Sequence, residues 1–133
     1  MVAPHIPVSD SSMATDRGYF NHEKLDVFRV AVEFAVEAKC IIDGMPEGSR
    51  RAHLADQLHR ASASIVLNIA EGSGEFSMRD KRRFYRMARR SASECAGILT
   101  LVVAFELATP GSVQPARAKL LRVLAMLTNM TKD

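Results

Sequence analysis

The chain has 133 residues, 47% hydrophobic and 25% charged, with a formal net charge of +3, which fits one globular domain with a single core and excludes a highly charged disordered chain. No apolar run approaches the roughly 18 residues of a membrane span, the longest lying around Ile98 to Phe105, and the N-terminus lacks the basic and apolar regions of a secretory signal. A cytoplasmic protein with no membrane partner is therefore expected.

Residues 1–21, MVAPHIPVSDSSMATDRGYFN, are rich in Pro, Ser and Asp without periodicity and read as a mobile N-terminal arm, leaving 22–133 as the folded domain. Met13, followed by Ala14 and Thr15, is an alternative native start to Met1. The first helix is expected from about Lys24 to Asp43, stopping at Gly44-Met45-Pro46 because proline disfavours a helical residue before it. Its seam is Val27, Ala31, Phe34, Ala38 and Ile41. Leu25, Phe28, Val32 and Ala35 widen that seam beyond one bundle face, which implies a second contact with another chain.

The second helix is expected from about Arg50 to Glu71, with Leu54, Leu58, Ala61, Ile65 and Ile69 inward. At 100° per residue, Gln57, Arg60, Ser64, Asn68 and Glu71 fall in a narrow polar stripe bordering this apolar face. Arg60 and Glu71 are eleven residues apart, about 16 Å along the axis, so they do not pair within the helix. Glu71 also lies near the negative end of the helix, where a carboxylate is disfavoured. A polar network at a helix–helix or subunit interface, with a basic residue from a neighbouring segment meeting Glu71, would satisfy the stripe. Gly72 and Gly74 read as termination and turn residues.

The third helix opens at Ser77-Met78-Arg79-Asp80, a capping-box pattern, and runs for about thirty residues on the seam Phe84, Ala88, Ser91, Cys95, Ile98, Val102 and Phe105. The fourth follows Thr109-Pro110-Gly111-Ser112 on the seam Val113, Ala116, Leu120, Val123, Leu127 and Met130. No alternating strand pattern occurs. The fold class is all-α, an antiparallel up-down-up-down four-helix bundle. Cys40 and Cys95 both fall in apolar patterns, which suits reduced, buried thiols.

Charge is concentrated rather than spread. Residues 77–94 hold seven Lys/Arg against two acidic residues, a balance of +5, while the rest of the chain balances at −2. Arg79, Arg82, Arg83, Arg86 and Arg90 share one stripe, flanked by Arg89. Guanidinium groups stay charged and can donate two parallel hydrogen bonds to phosphate, so the stripe is a candidate nucleic-acid-binding face for RNA or DNA. A solvated outer face, with an Arg90–Glu94 pair four residues apart, is the plainer reading. Aromatic residues are only 6% of the chain and tryptophan is absent, so base-stacking platforms are not apparent.

Catalytic groups do not converge. His53 and His59 face different directions, the cysteines lack a partner motif, and no P-loop or nucleophile elbow occurs. No enzyme, metal or cofactor is expected.

The run from Pro46 through Gln57, Arg60-Ala61, Ser64-Ile65 and Asn68-Ile69-Ala70-Glu71-Gly72 resembles the bacterial four-helix-bundle family found in intervening sequences of large-subunit ribosomal RNA genes, to which the accessory protein of diversity-generating retroelements also belongs. LDVFRVAVEFA and the positions Phe84, Ala88-Arg89, Ser91 and Glu94 carry the likeness across about residues 22–131. The resemblance implies a ring-forming homo-oligomer, commonly a homopentamer, without known enzymatic activity. It also implies nucleic-acid or reverse-transcriptase partners. Glu75 stands where a basic residue is usual, and Arg90 where a glycine is usual. Two functions are compatible with the chain: a non-enzymatic accessory protein binding RNA or DNA phosphates, or a protein-interaction scaffold with no nucleic-acid role.

Overall fold

The computed structural model describes the backbone of residues 18–132 and the side chains of 26–48 and 51–132. Among the described residues the architecture is all-α: α1 (Gly18–Gly44), α2 (Ser49–Gly74), α3 (Met78–Ala104) and α4 (Pro110–Met130), with no strand. Helix α1 begins at Gly18, ahead of the expected Lys24, and most of the expected arm lies outside the described residues. Each helix packs against the next, and α1 also packs against α4.

The connections are short, and backbone chemistry explains where each helix starts. Gly48, before α2, has φ of 145°, a region that L side chains rarely adopt. Ser77 accepts from the Asp80 N–H at 3.1 Å at the start of α3, and Thr109 caps α4 through the Ser112 N–H at 3.2 Å. Pro110 then sits where its missing N–H costs nothing.

Helix α3 ends in a Schellman arrangement. The Leu107 N–H donates to the Val102 carbonyl at 2.8 Å and the Glu106 N–H to the Val103 carbonyl at 3.0 Å. Glu106 holds the left-handed position, φ 60°, usually taken by glycine.

The apolar core follows the helical period through most of the chain. Val27, Ala31, Phe34, Ala38 and Ile41 of α1 are buried, with Val30 beside them, as are Leu54, Leu58, Ala61, Ile65 and Ile69 of α2. The α4 seam is buried throughout, from Val113 to Met130. Phe28, Val32 and Ala35, expected to widen the α1 seam, are half-buried at its edge.

Three expectations are corrected. The inward face of α3 is Lys81, Tyr85, Ala88, Ala92, Cys95, Ile98, Leu99 and Val102, so Tyr85 and Ala92 replace Phe84 and Ser91, which flank the seam half-buried. Phe105 is not a core residue but the exposed C-cap of the helix. Cys95 is buried, but Cys40 is exposed, at the rim of the cleft where the end of α1 faces the α3–α4 turn.

Gly74 is the last residue of α2, consistent with a termination residue, but Gly72 lies within the helix and is a buried contact point. A Cβ added there would lie 2.6 Å from Cε1 and 2.9 Å from Cδ1 of Tyr85, and 3.2 Å from the Lys81 carbonyl. The missing side chain is what allows the Tyr85 ring against the α2 backbone, and that ring is fully buried. Burial raises the Tyr85 phenol above its ordinary pKa, with a hydrogen bond involving Ser73 opposing the shift.

Candidate nucleic-acid interface and polar seam

The stripe on α2 divides into three environments. Ser64 and Asn68 are half-buried between α2 and α3. The Ser64 and Ser91 hydroxyls are hydrogen-bonded at 2.8 Å, and Asn68 donates from Nδ2 to the Ser64 carbonyl at 2.9 Å and to its Oγ at 3.1 Å. Short side chains at both Ser64 and Ser91 let the helices approach while their hydroxyls remain satisfied. Met87, Arg90 and Glu94 complete a shallow groove around this cluster.

Arg60 stands outside that network. It is exposed and pairs with Asp56 at 3.6 Å, one turn back on the same helix. Gln57 is half-buried. Glu71 is exposed and takes part in no ion pair among the described residues.

The negative end of α2 is compensated by Lys81 of α3 instead. Its Nζ donates to the Ser73 carbonyl at 3.3 Å from a largely buried position. A basic residue thus does reach this end from the neighbouring segment, but it meets a backbone carbonyl of the last turn rather than the Glu71 carboxylate.

The basic stripe on α3 also divides. Arg79, Arg83 and Arg90 are exposed and take part in no ion pair among the described residues. Arg90 and Glu94 border one groove without forming the four-apart pair. The Arg83 guanidinium lies over the Phe84 ring, 4.8 Å from its centroid, which holds it in place while leaving its edge N–H groups available.

Two of the half-buried arginines, Arg86 and Arg89, turn towards α4. Arg86 donates from Nη2 to the Thr131 carbonyl at 3.5 Å, and Arg89 from Nη1 to the Thr131 hydroxyl at 2.8 Å. Thr131 is buried and donates in turn to the Leu127 carbonyl at 2.7 Å. Two guanidinium groups therefore sit at the carboxyl-terminal end of α4, where the helix dipole favours cations. The Nε of Arg82 is buried without a hydrogen-bond partner among the described residues. The helical wheel groups these arginines by direction but does not show that Arg86 reaches a neighbouring helix end.

A second cross-helix contact had no signal in the sequence. Glu33 of α1 accepts from Lys119 of α4 and from Arg29, each at 3.1 Å. Burial pushes its carboxyl upward, but the Lys119 and Arg29 charges and hydrogen bonds outweigh this and hold it below the usual range. Its partners lie 86 and 4 residues away, and only the nearer is visible from helical spacing.

Elsewhere a cleft of about 850 Å³ opens between the end of α1 and the α3–α4 turn, lined by Cys40, Ile41, Pro46, Val103, Leu107 and Ala108 among others. His53 and His59 are both exposed on α2. Among the described residues, no cluster of His, Cys, Asp and Glu could hold a metal ion, and no helix is long and apolar enough to cross a membrane.

The model of one protein family, described as 23S rRNA-intervening sequence protein, matches residues 23–129. No curated protein matches the chain.

Proposed function

The chain belongs to the 23S rRNA-intervening sequence protein family, and from that premise we propose a non-enzymatic, cytoplasmic accessory protein that binds RNA or DNA phosphates through the exposed arginines of α3. The observation that carries this reading is the state of Arg79, Arg83 and Arg90. The described ion pairs use Arg29, Lys39, Arg60 and Lys119, while these three arginines are exposed and have no carboxylate partner among the described residues. Unneutralised guanidinium groups along one helix side attract a polyanion and can hold its phosphates without reading bases.

Arg82 and Arg86 contribute less. They are half-buried, and Arg86 already donates to Thr131. The binding face is centred on Arg79, Arg83 and Arg90.

The molecule works as an assembly of antiparallel up-down-up-down bundles, a ring and by family likeness a homopentamer. Met87, 44% exposed, lines the shallow groove beside Ser64, Asn68 and Ser91, and Leu67, 64% exposed, adjoins Asn68 along α2. Large exposed apolar side chains beside hydrogen-bonding groups are what a chain–chain contact buries. The same side chains support the alternative, a scaffold for a reverse transcriptase or another protein with no nucleic-acid role.

Fluorescence anisotropy of the nuclease-treated protein with labelled mixed-sequence RNA and DNA tests the reading. With three phosphate contacts per chain, affinity for a single strand is expected to fall roughly twentyfold between about 50 and 200 mM salt, and more steeply if several subunits engage. Arg79→Glu, Arg83→Glu and Arg90→Glu together should abolish binding while leaving helicity intact. Absence of binding at the lowest salt would overturn the proposal in favour of the scaffold. For the assembly, Glu71→Ala is expected to lower the mass in solution; an unchanged mass would leave Glu71 as an exposed edge.

A further inference from the structure

The α2–α3 turn carries one side chain that the fold does not use. Phe76 is fully exposed, in a three-residue connection whose Glu75 and Ser77 are extended. It immediately precedes Ser77, the N-cap of α3. An apolar residue at that position ordinarily packs onto the fourth helical residue and fixes the entry of the chain. Here the fourth residue is Lys81, which turns inward to donate to the Ser73 carbonyl at 3.3 Å. Among the described residues the ring has no packing partner, so it stays in water and its burial free energy is forgone.

The turn leads directly into the exposed arginines. Arg79 and Arg83 are four residues apart and share one side of α3, with Arg83 already lying over the Phe84 ring. We propose that Phe76 is a base-stacking residue and that the ligand at this end of the molecule is a nucleic acid with unpaired bases. The proposal rests on the phosphate-binding reading of α3 and specifies its substrate class.

Phosphate contacts alone would serve a duplex or a single strand equally. A duplex hides its base faces, whereas a splayed single strand offers both phosphates for Arg79 and Arg83 and a π-face for the ring. A second protein copy fits this turn less well. One phenyl ring and the partly exposed Met78 supply far less than the roughly 800 Å² per partner of a stable interface. Glu75 and Asp80 are half-buried on the same turn and repel phosphate, so the strand's backbone is expected on the Arg79–Arg83 side.

The chain contains no tryptophan, so Phe76→Trp installs a single indole reporter. Full-length protein carrying it is titrated with labelled single-stranded RNA and DNA of about twelve nucleotides, within the site size of small single-strand binders, and with a duplex of the same length. Label anisotropy and indole emission are read together. Single strands are expected to quench the indole as they bind. Phe76→Ala should lower single-strand affinity roughly 5- to 150-fold, the fold-change equivalent of one stacked base, with no change in the salt slope and none in duplex affinity. Binding with unquenched indole and an unaffected Phe76→Ala variant would overturn the stacking proposal and leave the phosphate reading standing. No binding to either form would overturn both. A blue shift of the indole with rising protein concentration alone would overturn the proposal in favour of a self-contact.

Discussion

The α2–α3 seam and the α1–α4 seam share no helix, and different chemistry closes them. Between α2 and α3 the polar groups at the contact are mostly neutral and small: Gly72 admits the Tyr85 ring, and the Ser64 and Ser91 hydroxyls meet at 2.8 Å. Between α1 and α4 a charged link crosses the boundary, with Glu33 held by Lys119 and by Arg29. The Gly72 and Ser64–Ser91 contacts depend on shape and neutral hydrogen bonds, which pH and salt leave alone; the Glu33 contact depends on ionisation, which both control. The difference teaches that a single helical period can place two kinds of contact in one small domain, and that perturbations will tell them apart.

The largest effect is expected from Gly72→Ala. Alanine gains up to about 1 kcal/mol of helix propensity, but overpacking costs about 1–3 kcal/mol, and a 2.6 Å approach to a buried ring belongs at the upper end. Urea denaturation should show a net loss of about 2 kcal/mol, equal at neutral and acid pH and at low and high salt. A loss that shrank with salt would break the assignment of this seam to shape.

Glu33→Gln should cost about 1 kcal/mol at neutral pH, since it weakens hydrogen bonds to charged groups in a partly exposed site. The folded carboxyl lies below its ordinary value of 4.5, so the stabilisation is fully present above that value. It is lost as pH falls through the folded pKa. Denaturation curves of the parent chain and the variant should therefore converge at strongly acid pH. A gap that persisted there would show that the α1–α4 contact is not governed by ionisation.

Ser91→Ala is a finer probe of the α2–α3 seam. Ser64 keeps its contact with Asn68, so the cost should be about 0.5 kcal/mol and independent of pH. A larger loss measured by denaturation would mean that the two hydroxyls fix the spacing of the helices.

Thiol labelling reads both seams with little effect on stability. Burial, with the Glu94 charge, pushes the Cys95 thiol up to about 12, while Cys40 is exposed. A disulfide reagent should react with Cys40 at once and with Cys95 only through opening of the core. Gly72→Ala should accelerate Cys95 labelling more than Glu33→Gln does. Prompt labelling of both thiols in the parent chain would contradict the packing around α3.

Much of this was legible along the chain. The seams of α1, α2 and α4 can be followed because their buried positions recur at three- and four-residue steps and are apolar. The N-terminal half of α3 obscures its own period. Lys81 is buried through its aliphatic stem and a helix-end carbonyl, while Phe84 is held at the edge beneath Arg83, so polarity there no longer marks the inside. The Ser64 and Asn68 positions stood out as polar groups beside an apolar face, but their partner Ser91 looked like part of the core.

By itself the sequence determined the all-α class, the short connections, the cap at Ser77, the family and the concentration of charge on α3. These are local or periodic properties, carried by residues within a few positions of one another. Only the tertiary structure decided that Gly72 is a contact point, that Lys81 compensates the end of α2, that Arg86 and Arg89 reach Thr131, and that Phe76 has no packing partner among the described residues. Each depends on the distance between groups on different helices or turns, which helical spacing within one element does not encode.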